Sequence, residues 1–296
     1  MDAERENLFT ELNDDKHSLM RAKLSPGYSG KDSPECEPSI DQMVMDVVRL
    51  IKRKYLSVGC NVKPLDWAQL AQYFILAVIT YLSLGEAFGF VSDDTDKYTY
   101  VKSMEDNFPI MNVFSAGPLL SAIARIPTVQ ANLVPSPKEW VREGQSVGYR
   151  EVARQIIAGR FSGEKAGRYD MVTSFKNHGL SELEISDESL FQLLAGSDTT
   201  AIISGHKVIR TMASTFLPGL KSPFALGICI AIIQRYYGAD AEIFRPERWL
   251  EASPERLAVM EEAHHLVFGN GRFRCMGENI ARLELNKIFE RIRKFD

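Results

Sequence analysis

Near its C-terminal end the chain reads FGNGRFRCMG (268–277). A single cysteine, Cys275, sits among three glycines and two arginines, followed at once by ENIARLELNKIFERIRKF, which predicts a helix throughout. Gly269, Gly271 and Gly277 clear side chains from either side of the sulfur, which suits a backbone lying against a flat, bulky ligand. Arg272, Arg274 and the N-terminus of the following helix all favour negative charge at that point. The chemistry on offer is that of one soft anionic donor with open space beside it.

A lone thiolate does not build a structural zinc or iron–sulfur site, which needs three or four protein ligands, whereas a haem iron needs only one or two axial ligands. Cys36, Cys60 and Cys229 are remote, with no CxxC pair and no histidine at zinc spacing, and read as free thiols of an intracellular protein. The alternative for the loop alone is a glycine turn around a small buried hydrophobe.

A second constellation, AGSDTTA (195–201), places Gly196, Ser197, Asp198, Thr199 and Thr200 inside an otherwise apolar helical stretch. Glycine costs about 1 kcal/mol there relative to alanine, and hydroxyls compete for backbone hydrogen bonds. Two uses remain open: a glycine gap with an acid and a hydroxyl that relay protons to a group pressed against the helix, or a kinked core helix with hydroxyls bonded to the preceding turn.

The elements that must carry these residues are mostly helices. Turn residues mark 26–38 as a loop, apolar spacing from Ile40 to Leu56 predicts a helix, and a second helix spans 66–85. That second stretch, uncharged from Trp67 to Gly85, just reaches membrane-spanning length, but its interspersed polar residues favour a buried core helix. A charged helix is expected over 139–158, and another over 186–212 with Ser186 as N-cap. No run of alternating strands and no internal repeat is evident. The polar, acidic N-terminal residues read as neither a signal peptide nor a membrane anchor. The net charge of −4, with dispersed basic residues, gives no footprint for nucleic acid.

Taken together, the motifs resemble those of the cytochrome P-450 monooxygenases. FGNGRFRCMG resembles that family's haem-binding loop, AGSDTT its oxygen-binding helix, and FRPERW (244–249) its FxPxR segment, in the family's order. The resemblance implies a mainly α, partial cytochrome P-450 fold with little residual β-sheet. It makes Cys275 the thiolate ligand of the haem iron and Phe268 the ring beside that sulfur. Gly196 would make room for dioxygen, and Asp198 with Thr199 would deliver protons. His17 and Arg21, in KHSLMR, match the helix whose arginine pairs with a haem propionate, and Arg272 is the expected propionate contact of the loop. RAKLSPGYSGK, LGEAFGF and ENIARLELNKIF resemble filamentous-fungal members of secondary metabolism. Electrons would come from NADPH through a reductase partner, the substrate would be small and apolar, and the location would be the endoplasmic reticulum surface or otherwise the cytoplasm.

Departures from the pattern are as informative. The loop arginine of the family stands two residues before the cysteine, where this chain has Phe273 flanked by Arg272 and Arg274. No glutamate occurs over 203–241, so the ExxR helix that should lock the arginine equivalent to Arg248 is absent. Leaving such a network partial strands Arg248 as a lone buried charge unless it reaches solvent. The expected organisation is one incomplete domain: 16–203 through the oxygen-binding helix, an atypical segment at 204–237 from a deletion or retained intron, and 238–296 with the FxPxR segment and haem loop. Both ends read as truncated. The functional expectation is a haem-thiolate monooxygenase, and the alternative is an inactive remnant or a haem-binding protein without turnover.

Overall fold

The computed structural model describes residues 7–58, 60–106, 126, 148–163, 169–216, 234–241, 243, 245 and 247–294, without the side chains of 198 and 202–216. Helix is the only extended regular structure among them, apart from an isolated antiparallel bridge between Val58 and Asn61. The expectation of a mainly α chain is met. The chain divides into two compact units, Met1–Asp198 and Thr199–Asp296.

In the first unit, α1 (Asp14–Tyr28) starts where the Asn13 side chain accepts from the Asp15 and Lys16 amides. It runs through Pro26 into the stretch expected to be a loop, with Gly27 buried against Phe175. Helix α2 (Cys36–Leu50) buries Ile40, Met43, Val44, Val47 and Val48, the single stripe that three- and four-residue spacing creates. It ends in a π-helical turn, Ile51–Tyr55, with no buried side chain.

Helix α3 (Trp67–Leu84) is the centre of this unit. Asp66 caps its N-terminus through the Gln69 amide, and Gly85, at φ 78°, takes the left-handed C-cap conformation that glycine adopts without strain. It packs against α2, α4 (Phe90–Asp93), α5 (Tyr149–Ser162) and α6 (Met171–Asn177), and α6 also contacts α1 and α5. Its length and composition would allow it to cross a membrane, yet 72% of that stretch is buried inside the protein. From Tyr73 to Thr80 every residue is buried, so over these two turns it has packing partners all round.

One buried ion pair ties three of these helices. Arg160 Nη2 on α5 donates to Asp170 Oδ2 at 2.6 Å and to the Leu84 carbonyl at the end of α3 at 3.2 Å. Asp170 Oδ1 meanwhile caps α6 through the Thr173 amide at 2.8 Å.

Helix α7 (Glu182–Phe216) begins four residues before the expected N-cap, and Ser186 is buried inside it. The true start is a capping box. The Ser181 amide donates to Glu184 Oε2 at 2.7 Å, and the Glu184 amide donates to Ser181 Oγ at 3.4 Å. The charged helix expected over 139–158 is observed as α5 from Tyr149, and 139–147 lie outside the described residues.

The second unit contains α8 (Arg248–Glu251), α9 (Pro254–His265) and α10 (Glu278–Arg293). Helix α10 buries Ile280, Glu284, Leu285 and Ile288, so a carboxyl group sits within its apolar stripe. Burial pushes the Glu284 carboxyl well above its usual range.

Arg248 is neither a lone charge nor solvent-exposed. At 8% exposure, its guanidinium donates to the carbonyls of Tyr237 (2.6 Å), Asp240 (2.9 Å), Ile243 (2.6 Å) and Arg245 (3.0 Å), and pairs with Asp240 Oδ1 at 3.2 Å. Backbone carbonyls satisfy a planar five-donor fork as well as side-chain partners do, which an inspection for glutamates alone does not anticipate. Residues 217–233, half of the segment expected to be atypical, lie outside the described residues.

Candidate functional site

The cysteine loop is built from two short 3-10 turns, Leu266–Phe268 and Gly271–Phe273, joined to α10. It closes through one backbone bond, in which the Cys275 amide donates to the Phe268 carbonyl at 2.7 Å. Gly269 and Gly271 lie at φ 74° and 60°, so the backbone itself requires them. At Gly269 a Cβ would also come within 3.3 Å of the Phe273 carbonyl oxygen. Gly277 has ordinary φ, and the nearest atom to a Cβ placed there would be Cys275 Sγ at 3.9 Å. Two of the three glycines therefore shape the loop, and the third leaves the flank of the sulfur clear.

Cys275 is exposed and carries no disulfide. Leu266, Val267 and Phe273, its neighbours along the loop, are 54%, 61% and 61% exposed. This combination, an accessible sulfur with apolar side chains left in the open, is opposite to the buried-thiol alternative.

The charges around the loop are more committed than the sequence suggests. Arg274 Nε donates to Glu278 Oε2 at 2.7 Å, and Arg282 Nε donates to Glu278 Oε1 at 3.0 Å. These guanidiniums, Arg274 foremost, hold the Glu278 carboxyl down to about 2. Arg272 lies over the Phe273 ring at 4.8 Å, and Arg282 over the Phe268 ring at 4.9 Å. Arg274 is thus matched by a carboxylate, and Arg272 stays exposed on the loop surface.

In the first unit, Gly196 packs against Ile79 of α3, with a would-be Cβ 3.5 Å from Ile79 Cγ1. Ser197 is fully buried and lies 3.3 Å from the Tyr100 hydroxyl. The Asp198 side chain lies outside the described residues. In the second unit Thr199 is exposed and Thr200 buried, both on the same continuous helix. His17 is buried and Arg21 half-buried, one turn apart on α1 and so on a common face. A groove of about 370 Å³ between α5 and the first turns of α7 is lined by residues such as Arg154, Glu151, Glu182 and Ser186, and none of the expected site residues lines it.

Sequence inspection passed over Tyr100, Glu278, Arg282 and His264. The signal was present for Glu278, which stands four residues from an arginine on either side, the spacing that brings side chains together on a helix. Tyr100 carried no comparable mark, since its meeting with Ser197 depends on packing.

Comparison with known proteins gives these geometries their context. The family description "Cytochrome P450" matches residues 230–296, which include FxPxR, the cysteine loop and α10. Cytochrome P450 monooxygenase ABA1 of Pyricularia oryzae is 31% identical over 367 aligned positions, covering 100% of this chain and 71% of that protein. Cytochrome P450 monooxygenase aba1 of Botryotinia fuckeliana is 27% identical, covering 98% of this chain and 70% of that protein. Cytochrome P450 monooxygenase mpaDE' of Penicillium brevicompactum is 22% identical over 95% of this chain and 41% of its own length. The 367 positions aligned with the Pyricularia protein exceed the 296 residues available here, so part of that relative has no counterpart within the aligned span. With 31% identity along its whole length to a relative of which it covers more than two-thirds, the chain belongs to the cytochrome P450 monooxygenase family.

Proposed function

We propose that this chain is a haem-thiolate monooxygenase that oxidises a small apolar substrate with dioxygen, in a fungal secondary-metabolite pathway, with Cys275 as the single protein ligand to iron. The observation that carries the reading is the exposed Cys275 sulfur on a closed loop with Leu266, Val267 and Phe273 open beside it. The donor chemistry fits: one soft sulfur, an apolar surround and a glycine rather than a side chain at its flank suit the face of a large planar group. When bound, haem would supply the one-electron and dioxygen chemistry, its reactivity tuned by the axial thiolate.

The chain's own residues have distinct tasks in this reading. Phe268 accepts the Cys275 amide through its carbonyl and so sets where the sulfur sits. Arg272 would supply positive charge to a carboxylate of the cofactor, and so would Arg21, the arginine of the helix that also carries His17. Asp198 and Thr199 would move protons into the site, since a carboxylic acid beside a hydroxyl forms a short relay, and Gly196, by lacking a side chain, would make room for dioxygen. Electrons are assigned to an NADPH-dependent reductase, and attachment to the endoplasmic reticulum follows the habit of fungal family members. In this reading the chain is one incomplete domain, with 16–203 running through the oxygen-binding helix, 204–237 an atypical segment, and 238–296 the FxPxR segment, cysteine loop and following helix.

The part of the Pyricularia relative that has no counterpart here favours a second reading, an inactive remnant. One measurement separates the two. The chain is expressed with haem, reduced under carbon monoxide and scanned for the red-shifted band of thiolate-ligated haem. The monooxygenase reading expects that band in wild type and its loss in Cys275→Ser. Intact protein without the band assigns the chain to the remnant.

A further inference from the structure

We infer that Arg282 is a positioning residue for the cysteine loop, a clamp whose one guanidinium joins α9, α10 and the start of the loop. This rests on the reading above, in which Cys275 is the haem ligand. Three contacts converge on it. Its Nε donates to Glu278 Oε1 at 3.0 Å, its Nη1 lies 3.3 Å from His264 Nε2, and its flat face covers the Phe268 ring at 4.9 Å.

Each contact uses a different part of the group. Arginine has only donors, so His264 Nε2 must be the acceptor, and the imidazole carries its proton on Nδ1. Glu278 holds the other end of the loop, because its second oxygen accepts from Arg274, the residue before the cysteine. Phe268 and Arg274 thus bracket the ligand segment, and both are tied to the Glu278–Arg282 pair. The backbone bond from the Cys275 amide to the Phe268 carbonyl closes the same bracket. His264 in turn meets the Trp249 ring at 5.9 Å, which continues the contact to α8 beside Arg248. A lysine at 282 would retain the charge without the planar fork, so it could not make the three contacts at once.

The test uses the full chain as wild type, Arg282→Ala and Arg282→Lys, with Arg291→Ala as a control on the same helix. The first readout needs no haem: hydrogen exchange of backbone amides over 268–277, with α3 amides as internal reference. Loss of the clamp is expected to accelerate loop exchange about tenfold in Arg282→Ala and several-fold in Arg282→Lys, with α3 and the control unchanged. The second readout is the share of the reduced carbon monoxide complex in the thiolate band, as against the shorter-wavelength band of haem that has lost its thiolate. That share is expected to fall in both position-282 variants and to hold in Arg291→Ala. Loop exchange equal to wild type in both position-282 variants overturns the clamp, and so does a lysine variant equal to wild type in both readouts. Wild type without a thiolate band, together with faster loop exchange in Arg282→Ala, refutes the haem reading while supporting the clamp. Arg282→Lys keeps the charge and the aliphatic stem and carries the test if Arg282→Ala does not fold.

Discussion

Asp170 and Arg160 form an ion pair buried within the first unit. Both side chains are 2% exposed, and their oxygen and nitrogen lie 2.6 Å apart. Removing the carboxylate charge while retaining the shape, as in Asp170→Asn, leaves the α6 cap oxygen in place and takes a carboxylate partner at 2.6 Å away from a buried guanidinium. Breaking one side of a buried ion pair costs about 3–5 kcal/mol, and the surviving bond from Arg160 to the Leu84 carbonyl places this case near about 3 kcal/mol. Asp170→Ala also forfeits the cap to the Thr173 amide, adding about 1 kcal/mol. For a unit of this size each kcal/mol lowers the melting midpoint by about 2–4 °C, so Asp170→Asn should melt on the order of 6–12 °C below wild type. The assay is thermal unfolding by circular dichroism at pH 7, with urea midpoints as a check. Replacing both partners by apolar residues, Arg160→Met with Asp170→Leu, should recover most of the loss, because the penalty lies in the uncompensated charge. A single variant that melts with wild type, or a double variant no better than Asp170→Asn, refutes the reasoning.

Other predictions follow from individual sites. Glu188 is 2% exposed and accepts the Leu8 amide at 2.5 Å, and burial pushes its carboxyl up to about 7 from 4.5. The folded state therefore binds the extra proton between those values, so stability should fall as pH rises from about 4.5 to 7, by up to about 3 kcal/mol. Glu188→Gln should flatten that part of the stability–pH curve and melt higher than wild type at pH 8; a wild-type curve already flat there contradicts it. Glu278 has the opposite sign: held down to about 2, its contribution is complete above 4.5 and should be lost as pH falls from there toward 2, read as faster exchange in the cysteine loop. Gly196→Ala meets only ordinary contact with Ile79, so it should leave stability in urea unfolding unchanged or raise it by up to about 1 kcal/mol while altering turnover; a large loss of stability would count against the observed packing. Gly27→Ala, whose Cβ would lie 2.9 Å from Phe175 Cε1, should instead destabilise by about 1–3 kcal/mol in urea unfolding. Thr199→Ala should uncouple oxygen consumption from product, and unchanged coupling would remove Thr199 from the proton relay.

Local signals decided much of what the sequence alone could establish. The apolar stripe from Ile40 to Val48, the Asp66 and Gly85 ends of α3, and the helix after Cys275 depend on neighbours within a few residues, where side-chain spacing and capping chemistry are sufficient. Motif order from Gly196 through Arg248 to Cys275 sufficed for the family, because the motif residues can be recognised without knowing where they meet. The Ser181–Glu184 capping box was equally local and was hidden only by a second candidate cap at Ser186.

Tertiary structure alone decided the rest. That Arg248 would be held by four carbonyls and Asp240 follows from where Tyr237, Asp240, Ile243 and Arg245 come to lie around its guanidinium, not from any residue type at fixed spacing. The Arg160–Asp170–Leu84 junction, the Tyr100–Ser197 contact and the Arg282 clamp each join groups from different helices, whose angles and depths are set by packing. Sequence can announce which side chains are able to donate or accept. Which partner each one finds, and whether water is excluded when it does, depends on the three-dimensional arrangement of surfaces that lie far apart along the chain.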